Sequence, residues 1–169
     1  MAKKFFLGML IALIPGLAIA DPALNGIWVD EIGAEFKFNN GNWEVWEAWY
    51  KPDVTSPLMK GTYTIMGGTI NLYTTHVHGY AASEELWFLI GFDLDLEPRF
   101  YSRAELKSIM VAVIIAEEGP FSLEELAELD EEIDIYLDDI FSIVEGTYSV
   151  SGNTLNLTFY GETSTLTRM

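Results

Sequence analysis

The sequence predicts a mainly β domain of α+β class, an antiparallel barrel that carries a helical insertion. Three observations predict it. Short β-prone runs fill two stretches, about 25–77 and 146–169, and bracket a middle with helical spacing. One twelve-residue hairpin is written twice, once in each β stretch. In the middle, two capping boxes each open an apolar run.

The first stretch opens with Gly26-Ile27-Trp28-Val29 and Glu35-Phe36-Lys37-Phe38. Asn39-Asn40-Gly41-Asn42 follows as turn chemistry, since Asn and Gly tolerate positive φ. An aromatic-dense run from Trp43 to Tyr50 comes next, and Lys51-Pro52-Asp53 with Ser56-Pro57 punctuates a loop. The hairpin Gly61-Thr62-Tyr63-Thr64-Ile65-Met66-Gly67-Gly68-Thr69-Ile70-Asn71-Leu72 then returns as Gly146-Thr147-Tyr148-Ser149-Val150-Ser151-Gly152-Asn153-Thr154-Leu155-Asn156-Leu157, with seven of twelve positions identical. Tyr63, Ile65, Ile70 and Leu72 share one face of the alternation, as do Tyr148, Val150, Leu155 and Leu157. The flanking segments do not repeat, so this is a shared device and not a duplicated domain.

The helical insertion is expected over about 81–145, with two helices. Ser102-Arg103-Ala104-Glu105 opens the first, which continues from Leu106 to Ala116 until Gly119-Pro120 stops it. Ser122-Leu123-Glu124-Glu125 opens the second. Its apolar residues, Leu126, Leu129, Ile133, Leu137, Ile140 and Val144, keep three- and four-residue spacing to about Val144. Twelve acidic residues and no basic one fall between Glu117 and Glu145, which reads as a solvated helix face. Thr163 to Met169 would be the closing strand.

The first twenty residues carry an address. Lys3 and Lys4 precede an apolar run from Phe5 to Leu17, and Ala18-Ile19-Ala20 sets a small-x-small site before Asp21-Pro22. This is the layout of a secretory signal peptide over 1–20, leaving a single domain over 21–169 that is periplasmic or secreted. Without that segment the domain has seven basic residues against 26 acidic ones, a net charge of −19. Such a charge argues against nucleic acid and anionic membrane surfaces as partners. The chain has no cysteine, so burial alone must hold the fold and no lipid-bearing cysteine exists. The later apolar runs, Leu86–Phe92 and Ile109–Ala116, are too short to span a bilayer, so the mature form is not expected in the membrane. A monomer is expected.

Leu24-Asn25-Gly26-Ile27-Trp28-Val29-Asp30 resembles the Gly-x-Trp opening strand of lipocalins and related calycin barrels, and Arg168 resembles the arginine those barrels lay over that tryptophan. The Gly-Thr-Tyr hairpins, Thr75-His76-Val77-His78-Gly79 and Phe100-Tyr101-Ser102-Arg103-Ala104-Glu105-Leu106-Lys107 are similar to segments of small bacterial exported lipocalin-like proteins, mostly of unknown function. The resemblance implies a barrel holding a ligand, closed at one end by tryptophan. Guanidinium on indole would contribute about 0.5–2 kcal/mol there, which is a structural role.

Three groups are candidates for function. Trp43, Trp46, Trp49 and Tyr50 form the densest aromatic cluster and the best lining for a ligand site; on a strand Trp43 and Trp49 face one way, Trp46 and Tyr50 the other. His76 and His78, the only histidines, share a strand face and could meet one metal ion if Asp93, Asp95 or Glu97 supplied a third ligand. An EF-hand loop from Asp93 is excluded, because Pro98 takes the place of its glycine. No cofactor is otherwise called for. There is no cysteine nucleophile, no Gly-x-Ser-x-Gly elbow and no glycine-rich phosphate loop, so an enzyme is not expected. The reading is a non-catalytic exported binding protein for a small apolar or amphipathic ligand, with the acidic helix as an alternative docking face for a basic protein.

Overall fold

The structure, a computed structural model, describes residues 20–46, 56–91 and 94–169. The expected signal segment up to residue 19, Trp49, Tyr50 and Asp93 lie outside them. The chain runs β1 (Gly26–Val29), β2 (Glu35–Asn39), β3 (Asn42–Trp46), β4 (Met59–Met66), β5 (Thr69–His78), α1 (Gly79–Ile90), β6 (Phe100–Ser102), α2 (Arg103–Glu118), α3 (Leu123–Ile140), β7 (Ile143–Ser151), β8 (Thr154–Phe159) and β9 (Glu162–Arg168).

Eight strands close into an antiparallel barrel in the order β1-β2-β3-β4-β5-β7-β8-β9, and β9 returns to β1. The closing register sets Trp28 opposite Arg168 and Val29 opposite Thr167. Closure removes the unpaired edge that an open sheet would expose. The ninth strand, β6, is an appendage on the far end of β5, where Val77 faces Tyr101.

The two copies of the hairpin are β4–β5 and β7–β8, and they lie side by side through the pairing of β5 with β7. Their shared Gly-Thr-Tyr has a steric reason. A Cβ on Gly61 would run into the Tyr73 carbonyl and the Trp43 indole, and one on Gly146 would run into the Phe159 ring. In each copy the glycine leaves room for a neighbouring strand's carbonyl and an aromatic side chain to approach the backbone closely. The tyrosine two positions on then turns inward: Tyr63 is buried and packs edge-on against Phe38 at 5.4 Å.

The barrel interior is filled by Trp28, Phe38, Tyr63, Ile70, Leu155 and Leu166, with Leu24 stoppering one end. Each such side chain contributes about 1.5–3 kcal/mol on burial. At that stoppered end, Trp28 Nε1 donates to the Leu24 carbonyl at 2.7 Å, and the Tyr148 hydroxyl donates to Asp21 Oδ2 at 2.8 Å. Burial, then that carboxylate, pushes the Tyr148 hydroxyl up to about 12.

A second core lies in the helical layer. Leu106, Met110 and Ile114 of α2 meet Ile133, Leu137 and Ile140 of α3 and Leu86 of α1. Both expected capping boxes form: Glu105 returns to the Ser102 amide at 2.9 Å, and Glu125 to the Ser122 amide at 2.7 Å. Three corrections apply to the expected insertion. It holds three helices, because Gly79–Ile90 is helical as well. A short strand, β6, interrupts it. The last helix ends at Ile140, and Val144 belongs to β7, where it keeps an inward position.

Candidate functional site

A cavity of about 350 Å³ opens where the barrel meets the end of α3. Leu72 and Thr74 of β5, Trp43 of β3, Met59 of β4 and Val144 of β7 line it from the barrel; Asp139, Ile140 and Ser142 line it from the helix end. The residues come together for a local reason. Ile70, Leu72 and Thr74 share one phase of the β5 alternation, and the barrel closes that face inward. Ile140 caps the space because it is the last inward-facing residue of α3, 8 % exposed.

The aromatic cluster divides here. Trp43 is buried, 6 % exposed, pairs in register with Gly61, and donates Nε1–H to the Thr62 carbonyl at 3.1 Å. Its indole is thus fixed edge-on by a backbone acceptor while its ring faces the cavity. Trp46 sits in register with Glu35, half-buried and absent from the cavity lining. Of the four aromatics, Trp43 alone among the described residues lines the mouth. Trp49 and Tyr50 lie outside the described residues.

Among the described residues the lining contains one charged side chain, Asp139. Its carboxylate has no hydrogen bond or ion pair among the described residues, whereas Asp130, Asp134 and Asp138 on α3 are engaged by α2: Lys107 meets Asp130 and Asp134 at 2.8 and 2.7 Å, and Arg103 meets Asp134 and Asp138 at 2.8 and 2.7 Å. Hydrogen bonds from Lys107, then Arg103, hold the Asp134 carboxyl below its ordinary value. The last turn of α3 holds no basic residue. Asp139 therefore stands at the negative end of the helix, where a carboxylate is disfavoured.

The two histidines have different surroundings. The buried His78 caps α1: the Tyr80 amide donates to Nδ1 at 3.4 Å, and the ring stands edge-on to Phe100 at 5.7 Å. Burial lowers its pKa, and the Pro98 carbonyl offsets this in part. His76 Nδ1 contacts the Thr75 hydroxyl at 3.0 Å. Among the described residues no group of three His, Cys, Asp or Glu side chains converges. Glu97 is drawn to Arg99 at 3.9 Å, and Asp95 is exposed in a shallow groove beside α1. On the acidic helix, Glu125 is committed to its capping box, while Glu124 and Glu128 are exposed.

The residues that build the mouth, Leu72, Thr74, Asp139 and Val144, were not among the sequence candidates. Thr74 follows from extending the hairpin's inward phase two residues beyond Leu72; Asp139 carries no signal beyond its place in an acidic run. No protein-family model, curated protein or solved structure matches the chain.

Proposed function

We propose that the protein is an exported, non-catalytic binder that holds a small apolar or amphipathic ligand at the barrel mouth. One observation carries the reading: the cavity of about 350 Å³, walled by Trp43, Leu72, Met59, Val144 and Ile140. Its volume lies at the lower end of the about 300–1,000 Å³ usual for ligand sites, and its lining combines apolar walls with few polar groups, as such sites do. The fixed Trp43 indole adds a preorganised wall, which spares ordering cost on binding. A lipocalin-like identity is supported by the Gly26-x-Trp28 opening and its contact with Arg168. Export is supported by the basic and apolar opening of the chain.

Calorimetric titration with 1-octanol tests the site. Saturable binding is expected, weakened at least about tenfold by Val144→Phe, roughly 1.4 kcal/mol. Because the added ring enters empty space, the melting temperature of that variant should hold. No saturable binding to the unmodified protein overturns the reading. Equal binding by both proteins removes the ligand from this cavity.

A further inference from the structure

We infer that the ligand is headed by an ammonium group, its apolar body in the mouth cavity and its cation at Asp139. This rests on the mouth being the ligand site, and it names the chemical class that site selects.

Three observations carry it. Among the described residues, Asp139 is the one charged side chain in the cavity lining, and none of them that lines it is a lysine or arginine. The carboxylates of Asp130, Asp134 and Asp138 are each matched by Lys107 or Arg103, yet Asp139 has no cationic partner among the described residues. It also stands in the final turn of α3, which lacks any basic residue, so the helix dipole adds negative potential at the same rim. A lone carboxylate at the negative pole of a helix opposes local stability. Such a violation marks a place kept for something other than folding.

The geometry suits a cation in detail. The Thr74 and Ser142 side chains add hydroxyl oxygens to the lining, which accept from N–H as the carboxylate does. The Ser142 hydroxyl donates to the Asp139 carbonyl at 3.3 Å, which ties the rim together and leaves its oxygen free to accept. A fatty carboxylate would meet the opposite situation: a negative rim, no cation among the described lining residues, and a chain of net charge −17 behind it. At about 30 Å³ per water-sized group, the cavity takes an apolar body of roughly ten heavy atoms.

The test uses three probes with one chain length and different heads: octylammonium, 1-octanol and octanoate, titrated at neutral pH and low salt. Octylammonium should bind most tightly and octanoate most weakly, with at least about tenfold between them. High salt should narrow that interval. Asp139→Asn should weaken octylammonium and bring the three probes together, leaving octanol unchanged. Asp138→Asn, which loses a carboxylate held by Arg103, should preserve the order. Octanoate binding as well as octylammonium, with octanol still bound, overturns the inference and leaves the binding site standing. The same holds if the order survives Asp139→Asn. Failure of all three probes to bind removes the site and the inference together.

Discussion

The Arg168 guanidinium lies over the Trp28 ring, its carbon 4.3 Å from the ring centroid, and the two residues are register partners across the strands that close the barrel. Gly26, at φ +141°, lets that side chain pass within van der Waals distance of the backbone. Arg168 then donates to the Ala23 carbonyl, so the last strand clamps the segment leading into the first. Closure of the sheet and stoppering of its end are one set of contacts.

Trp28→Ala should therefore cost about 3–5 kcal/mol, the usual range for truncating a fully buried aromatic. That lowers Tm by roughly 10 °C or more in a domain of this size. Arg168→Met should cost less, about 0.5–2 kcal/mol. Chemical denaturation followed by tryptophan fluorescence reads both. The mouth cavity shares no residue with this contact, so octanol affinity should be unchanged under conditions where each variant is folded. A Trp28→Ala protein as stable as its parent removes the stopper role.

Most of this frame was legible in the sequence because its signals are local or terminal. Alternation within each hairpin gave the inward face, and Ser102 and Ser122 announced two helices through their glutamates three residues on. The first helix carries no such signal: its cap is His78, an unusual N-cap, and its apolar run reads equally as buried strand. The apolar spacing also overruns the end of the last helix. Val144 keeps the spacing of Ile140, but it does so as an inward residue of β7. The cavity was not legible at all, since Trp43, Leu72 and Asp139 meet only through barrel closure.

Tyr148 gives an alkaline signature. In the unfolded chain its hydroxyl ionises near 10; in the folded protein burial and Asp21 hold the proton to about 12. Over that interval the folded state binds more protons, so its contribution to stability is full below pH 10 and declines as pH rises to 12. Urea midpoints measured across this range should fall less steeply for Tyr148→Phe than for the parent. At neutral pH the variant should be weaker, having lost the bond to Asp21. Parallel pH profiles would exclude the buried hydrogen bond.

His78 gives the opposite slope under acid. Burial lowers its pKa below the ordinary 6.5, and the neutral ring accepts the Tyr80 amide. Above pH 6.5 the imidazole is neutral in both states and the cap is intact. As pH falls below 6.5 the unfolded chain takes up a proton that the folded ring resists, so stability declines. His78→Asn keeps a capping acceptor without the titration, and should lose less stability than the parent between neutral and mildly acidic pH. His78→Ala should cost about 1 kcal/mol at neutral pH through the lost cap. Equal acid sensitivity in the parent and His78→Asn would rule out this histidine as the source.

The barrel and the helical layer keep separate cores, and among the described residues Met59 is the one packed against both. Cooperative units of this kind open at different free energies. The mouth cavity lies along the seam between them, with Met59 and Val144 on one bank and Ile140 on the other. A guest bound there as proposed would need only a breathing motion of the helix end to enter, and the hydrogen-bonded cylinder beneath could stay zipped.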